Sequence, residues 1–276
     1  MGWITRSVEE HTLLWLLLSS LVGGIIGSGV KFLFEDVLRP RLGTRRETRA
    51  VTNRYATPLV RSAEALERRI NLLVINAGRD WWATSEYYRL STLYAFGEHL
   101  AWIRLVEEDV GFLPFESSRK GRQFSRRLNG VFRALSSWTY FTGCADTGRV
   151  DASTVPRLML TAVGEAMIRE DRKGPRRFTE FALAYGTDPQ FRRWFADLER
   201  HLADAVERGD DYAWDRLVAA GIALRLLVRW LDPKGRLVDL RPVAHHDLVR
   251  TPEVREALLN ECYDALPPPA PVATPG

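Results

Sequence analysis

The chain has few cysteines and very few lysines, and one long stretch of it carries no charge at all. Its 276 residues include two cysteines, Cys144 and Cys262. One disulfide between them is open to the chain, but nothing in the sequence requires it. The count suits a reducing compartment, and the fold must rest on an apolar core. No Cys/His spacing resembles a zinc site. Only 4 lysines accompany 35 arginines. GC-rich coding produces such a bias, and the same arginines suit forked contacts with phosphate or carboxylate. Well-spaced strands of period two are also missing, apart from LVDL at 237–240, which reads as a short strand. Their absence argues for an all-α fold. Hydrophobic residues at 46% are too few for a polytopic membrane protein.

The uncharged stretch runs from Thr12 to Val30. As a helix it covers roughly 28 Å, close to the hydrocarbon thickness of a bilayer. Lys31 can snorkel, which leaves Phe32, Leu33 and Phe34 at the interface, and Trp3 and Trp15 lie near the other end. A cleaved export signal needs a basic start, a shorter apolar region and an Ala-x-Ala site; here Arg6 is set against Glu9 and Glu10, and no such site follows. A phosphate-binding glycine loop needs Gly-Lys-Ser/Thr; in GGIIGSGVK the position after Gly29 is Val30, and Lys31 is followed by Phe32. Gly27-Ser28-Gly29 lies inside the apolar run and is no nucleophile elbow. The stretch is therefore expected to be a transmembrane helix over 12–34.

Its small residues recur every four positions: Ser19, Gly23 and Gly27 in one row, Ser20, Gly24 and Ser28 in the next. Such a face lets a second helix approach closely, which predicts pairing of two copies. Basic residues set the orientation. Arg6 stands alone before the span, whereas Lys31, Arg39, Arg41, Arg45, Arg46 and Arg49 follow it. Residues 1–11 are expected outside, 35–52 as a basic juxtamembrane linker broken at Pro40 and Gly43, 53–266 as a cytoplasmic helical domain, and 267–276 as a disordered, proline-rich tail.

Helical periodicity dominates the rest. Leu59, Ala63, Leu66, Ile70, Leu73 and Ala77 form one stripe, with Pro58 at its start. Ser85 caps a helix reaching Leu113 that is apolar nearly all round and is expected at the centre of the core. Its acidic end, Glu107 to Asp109, calls for basic neighbours. Phe124, Leu128, Val131, Phe132 and Leu135 supply the face of a third helix. TGCADTGRVDAST reads as a loop. Further helices are predicted over 156–171, 178–185, 189–208, 213–230 and 253–266.

Few residues invite chemistry. Glu98 and His99, side by side on the second helix, form an acid/base pair if partners converge on them. His245-His246-Asp247 offers metal ligands, but adjacent side chains rarely meet on one ion. Trp81-Trp82 either caps the bundle or touches a bilayer interface. Arg119, Lys120, Arg122, Arg126, Arg127 and Arg133 fall within fifteen residues that hold no acid. They lack interleaved aromatics for stacking on bases, so nucleic acid is not expected; an anionic lipid surface is the first functional reading, shared with Arg39, Arg41, Arg45 and Arg46. Pairing with Glu107 to Asp109 is the alternative.

Four pieces, YATPLVRSAEALERRI, STLYAFGEHLAWIRL, GFLPF and RQFSRRLNGVF, lie within residues 55–132. They resemble a group of uncharacterised bacterial proteins that pair an N-terminal anchor, or none, with a helical domain. The resemblance implies an α-helical domain and carries no activity and no site residues.

Together these features lead us to expect a single-pass protein of the inner membrane, N-terminus out, with a cytoplasmic helical bundle. It would act as a scaffold or interaction module, without cofactor or metal, through an unknown protein partner. The alternatives are a membrane-tethered enzyme with a site near Glu98 and His99, or an accessory subunit of a membrane defence or transport system.

Overall fold

The computed structural model describes residues 39–110, 119–238, 240 and 245–262. The chain divides into two compact units, residues 1–51 and 52–276. Of the first, the described part is helical backbone over 39–51. The expected span, 12–34, with its row of Ser19, Ser20, Gly23, Gly24, Gly27 and Ser28, lies outside the described residues, as does the proline-rich tail. Among the described residues no helix is long and apolar enough to cross a membrane.

All regular structure in the described residues is helical, with one isolated antiparallel bridge between Ile168 and Pro175. Helix α1 spans Arg39–Ile75 and contains Pro58. Pro40 and Gly43 therefore do not break the chain, because a proline in the first turn loses an amide that has no partner there anyway. Pro58 lies mid-helix rather than at the start, where its ring removes one ladder hydrogen bond. A turn containing Gly78, at φ +85°, leads to the short α2, Trp81–Thr84. Helix α3, Glu86–Val110, starts where the Tyr88 amide donates to Ser85 Oγ.

The basic stretch splits at Asn129 into α4, Arg119–Leu128, and α5, Gly130–Ser136. The stretch TGCADTGRVDAST is not all loop. Asp146 accepts from the Arg149 amide and caps α6, Thr147–Ala152. Helix α7, Arg157–Met167, ends earlier than its periodicity predicts, since the Arg176 amide donates to Met167 O and folds the chain back. Helix α8, Phe178–Thr187, meets α9, Pro189–Trp194, at Asp188, whose carboxylate accepts from the amides of Gln190 and Phe191. Helices α10, Ala196–Val206, and α11, Asp211–Leu231, follow. A 3-10 turn, His245–Leu248, precedes α12, Pro252–Cys262. Of the strand expected at 237–240, the described residues 237, 238 and 240 lie in no strand. Asp232 instead accepts from the amides of Arg236, Leu237 and Val238 and winds that stretch into a turn.

Sequence periodicity places the centre on α3, and α3 is buried around most of its circumference from Ser91 to Val106. Helix α11 goes further: every residue from Ala213 to Val228 is buried, including Asp215, Arg216 and Arg225. It packs against α5 and α10, whereas α3 packs chiefly on α7. Both tightest crossings use a glycine. A Cβ on Gly164 of α7 would sit 2.9 Å from Leu100 O of α3, and one on Gly130 of α5 would sit 2.9 Å from Ala223 Cβ of α11. Backbones this close exclude any larger side chain.

Several buried polar groups are bonded internally, while His99 Nε2 and His201 Nε2 are buried without a hydrogen-bond partner. The guanidinium of Arg216 donates to Ser153 Oγ and to the carbonyls of Ala134, Ser137 and Val150, with Phe141 facing it at 4.1 Å. Burial lowers its pKa to about 10, so it remains a cation at neutral pH. Asp215 accepts from the amides of Arg250 and Thr251, and Trp214 Nε1 donates to Leu248 O. These bonds fasten the entry to α12 onto α11. Arg225 meets Glu67 of α1 at 2.8 Å, each side chain 5% exposed.

Candidate functional site

The acid/base pair expected on α3 does not assemble. Neighbouring residues on a helix point about 100° apart, and Glu98 and His99 enter different surroundings. His99 is fully buried and its Nδ1 lies 3.0 Å from Ser62 Oγ of α1. Burial lowers its pKa to about 3, so the ring is neutral at physiological pH. Glu98 is half-buried beside the Tyr94 hydroxyl, and burial raises its pKa. Tyr94 Oη donates to Arg176 O, and burial, with Glu98 next to it, pushes the phenol up to about 12. Ser62 and His99 resemble a nucleophile and its base in residue type alone. At 4% and 0% exposure, neither meets substrate from solvent.

The tryptophan pair is taken up by packing. Trp82 is buried at 5% exposure, while Trp81 stacks edge-on with Tyr88 at 5.6 Å and carries Arg79 at 5.0 Å. His245 and His246 lie in the 3-10 turn, and their side chains are outside the described residues. Among the described residues no group of three or more His, Cys, Asp or Glu is placed to hold a metal ion. Cys144 is a free, buried thiol.

Sequence periodicity missed a second buried histidine. His201 Nδ1 donates to Ser153 O at 2.9 Å, beside Arg216, and burial lowers its pKa to about 4. Its position one residue before Leu202 on the α10 stripe is the only sequence signal for it.

The basic cluster, by contrast, reaches the surface. Phe124 and Leu128 turn inward from α4, and their helical spacing sends Arg119, Arg122 and Arg126 outward. The side chain of Lys120 lies outside the described residues, as do those of Arg39, Arg41, Arg45 and Arg46. The acids closing α3 are held partly by other groups: Arg104 bonds Glu107 at 2.8 Å, Arg172 pairs with Glu108, and Tyr55 Oη donates to Asp109 at 2.6 Å.

Where α5 crosses α11, a shallow depression open to solvent is rimmed by Arg126, Arg127 and Arg133. Ile222 and Leu226 of α11 and Leu258 of α12 line its floor, and no carboxylate is among its described lining residues. Arg133 lies 5.7 Å from the Tyr140 ring. Phe124 holds α4 against Trp230 at 5.4 Å. Its floor is nearly closed, with Ile222 at 6% and Leu226 at 7% exposure, and Arg126 and Arg133 have interactions of their own. Comparison of the chain with protein-family models, with curated proteins and with solved structures finds no match.

Proposed function

We propose that the chain is a single-pass protein of the inner membrane, its N-terminus outside. In this reading its helical domain serves in the cytoplasm as a scaffold or protein-interaction module rather than as an enzyme. One observation carries the choice against catalysis: His99, the residue best suited to acid/base chemistry, is fully buried with its Nδ1 on Ser62 Oγ, while Glu98 stands apart from it beside Tyr94. The arginines of α4 and α5 face the surface instead. The membrane placement draws on the nineteen uncharged residues from Thr12 to Val30 and on the basic residues after them. The basic patches of 39–46 and 119–127 then rest against anionic lipid head groups, and the span pairs with a second copy through its glycine face.

Fractionation of cells that express the full chain tests the placement. The protein should pellet with membranes, resist carbonate extraction and dissolve only in detergent. Protease added to intact spheroplasts should spare the domain, and protease added after lysis should cut it. Recovery of the whole chain in the soluble fraction would remove both the span and the topology.

A further inference from the structure

Helix α1 changes character at Pro58. Beyond it Leu59, Val60, Ala63 and Leu66 are at most 1% exposed, Ser62 meets His99, and Glu67 meets Arg225. That part is built into the core. Of the side chains described before it, those of 55–57, only Tyr55 is buried. Pro58 has no amide to give to the carbonyl of Arg54, and its ring crowds that oxygen, so the helical ladder is weakest at this joint. Helices bend at such points.

Tyr55 fastens the turn in front of the joint. Its hydroxyl donates to Asp109 Oδ2 at 2.6 Å, at the end of α3, and its ring meets Trp102 edge-on at 6.2 Å. Asp109 is exposed, so water competes for this bond. Tyr55 and Asp109 each interact with further groups, and the bond is one tie among several. Trp102 has a second neighbour. A Cβ on Gly174 would lie 3.3 Å from Trp102 Cη2, so the indole supports the backbone of the hairpin 168–175. That hairpin is closed by the Ile168–Pro175 bridge and by the Arg169 amide, which donates to Gly174 O at 3.1 Å. Within it Arg172 stands at φ +53°, a left-handed conformation that is unfavourable for a residue with a Cβ, and pairs with Glu108, next to Asp109. The turn of α1 and the hairpin thus rest on the same stretch of α3, 102–109.

We infer that α1 is a lever jointed at Pro58, with Tyr55 on Asp109 as its latch and the hairpin 168–175 as its output. Opening the latch lets residues 52–57 swing about the proline while 59–75 stay in the core. Trp102 then loses its edge contact and Asp109 loses the phenol. The hairpin, already strained at Arg172, loosens from α3. A displacement arriving from the N-terminal side of α1 is delivered in this way to a charged surface loop, 169–173, without unfolding the bundle. The lever does not depend on where the chain resides, so it stands or falls apart from the membrane placement.

Hydrogen exchange of the purified full chain under native conditions, followed by mass spectrometry, reads three stretches: 52–57, 62–73 and 168–176. Tyr55→Phe keeps the ring and removes the hydroxyl. It should speed exchange about threefold or more over 52–57 and 168–176 and leave 62–73 at the parent rate. Asp109→Ala removes the acceptor and should give the same pattern, so a folding failure of either variant leaves the other to decide. Pro58→Ala restores the ladder bond. Added to Tyr55→Phe, it should return both loosened stretches most of the way to the parent rate. Unchanged exchange over 52–57 or over 168–176 in both single variants would overturn the inference. So would a rise spread evenly over all three stretches, which marks a general loss of stability. A hairpin that stays loose with Pro58→Ala in place would remove the joint.

Discussion

Single residues set the tolerance of this bundle. At Gly164 an added methyl group meets the backbone oxygen and carbon of Leu100, atoms that cannot swing away. Gly164→Ala should therefore destabilise the fold by about 1–3 kcal/mol even though alanine is the better helix former. Gly97→Ala meets side-chain atoms instead, Met167 Cγ at 2.8 Å and Phe195 Cε1 at 3.3 Å, and should cost less than Gly164→Ala. Urea unfolding of the two variants side by side checks the contrast. The buried histidines predict a pH response. Both are neutral in the fold, with pKa values lowered from 6.5 to about 3 and about 4, while the unfolded chain takes up protons near 6.5. Their contribution is complete above about pH 6.5 and is lost as the pH falls towards those folded values. The loss is at most about 1.4 kcal/mol per pH unit for each ring. Glu98 and Asp215 act in the opposite sense, since burial raises their carboxyls and favours the folded state as protons bind. His99→Gln/His201→Gln keeps a donor for Ser62 and Ser153 and cannot charge. Its urea midpoint should fall less between about pH 7.5 and pH 5 than that of the parent chain.

Among the elements, α11 organises the rest through polar contacts as well as apolar ones. Removing one partner of the Glu67–Arg225 pair leaves a buried charge and should cost about 3–5 kcal/mol, whereas Glu67→Leu with Arg225→Met should recover most of the loss. A double-mutant cycle by chemical denaturation measures both. Much of this level was legible in advance. Leu59, Ala63, Leu66, Ile70 and Leu73 are all buried, as are Phe124, Leu128, Val131, Phe132 and Leu135, because an amphipathic stripe reports the core directly, whereas Ala77, the last of the first stripe, lies in the turn beyond α1 and is exposed. Less legible were positions where a side chain bonds to distant backbone. The turn at 236–238 follows from Asp232, the entry to α12 from Asp215, and α6 from Asp146. None of these leaves a periodic trace. The site was legible only in part: the arginines of 119–133 stand out as a run, but their apolar floor comes from α11 and α12, about a hundred residues later.

For the whole molecule, the proposed span is the feature through which we expect assembly. Gly23→Ile with Gly27→Ile should reduce cross-linking of full-length chains several-fold and leave the melting of the helical domain unchanged. Retained cross-linking would move any self-association elsewhere. The continuous burial of Ala213 to Val228 bears on synthesis too. A ribosome makes the chain from its N-terminus, and the helix that the others close around is among the last to emerge. Helices α5 and α10, which pack on it, wait with those apolar faces uncovered until α11 has been made. A polypeptide stopped at Arg208 should thus show no cooperative melt and should bind a chaperone or a hydrophobic dye, although more than half the residues of the domain are present. The nascent chain is accordingly most exposed to misassembly just before its completion.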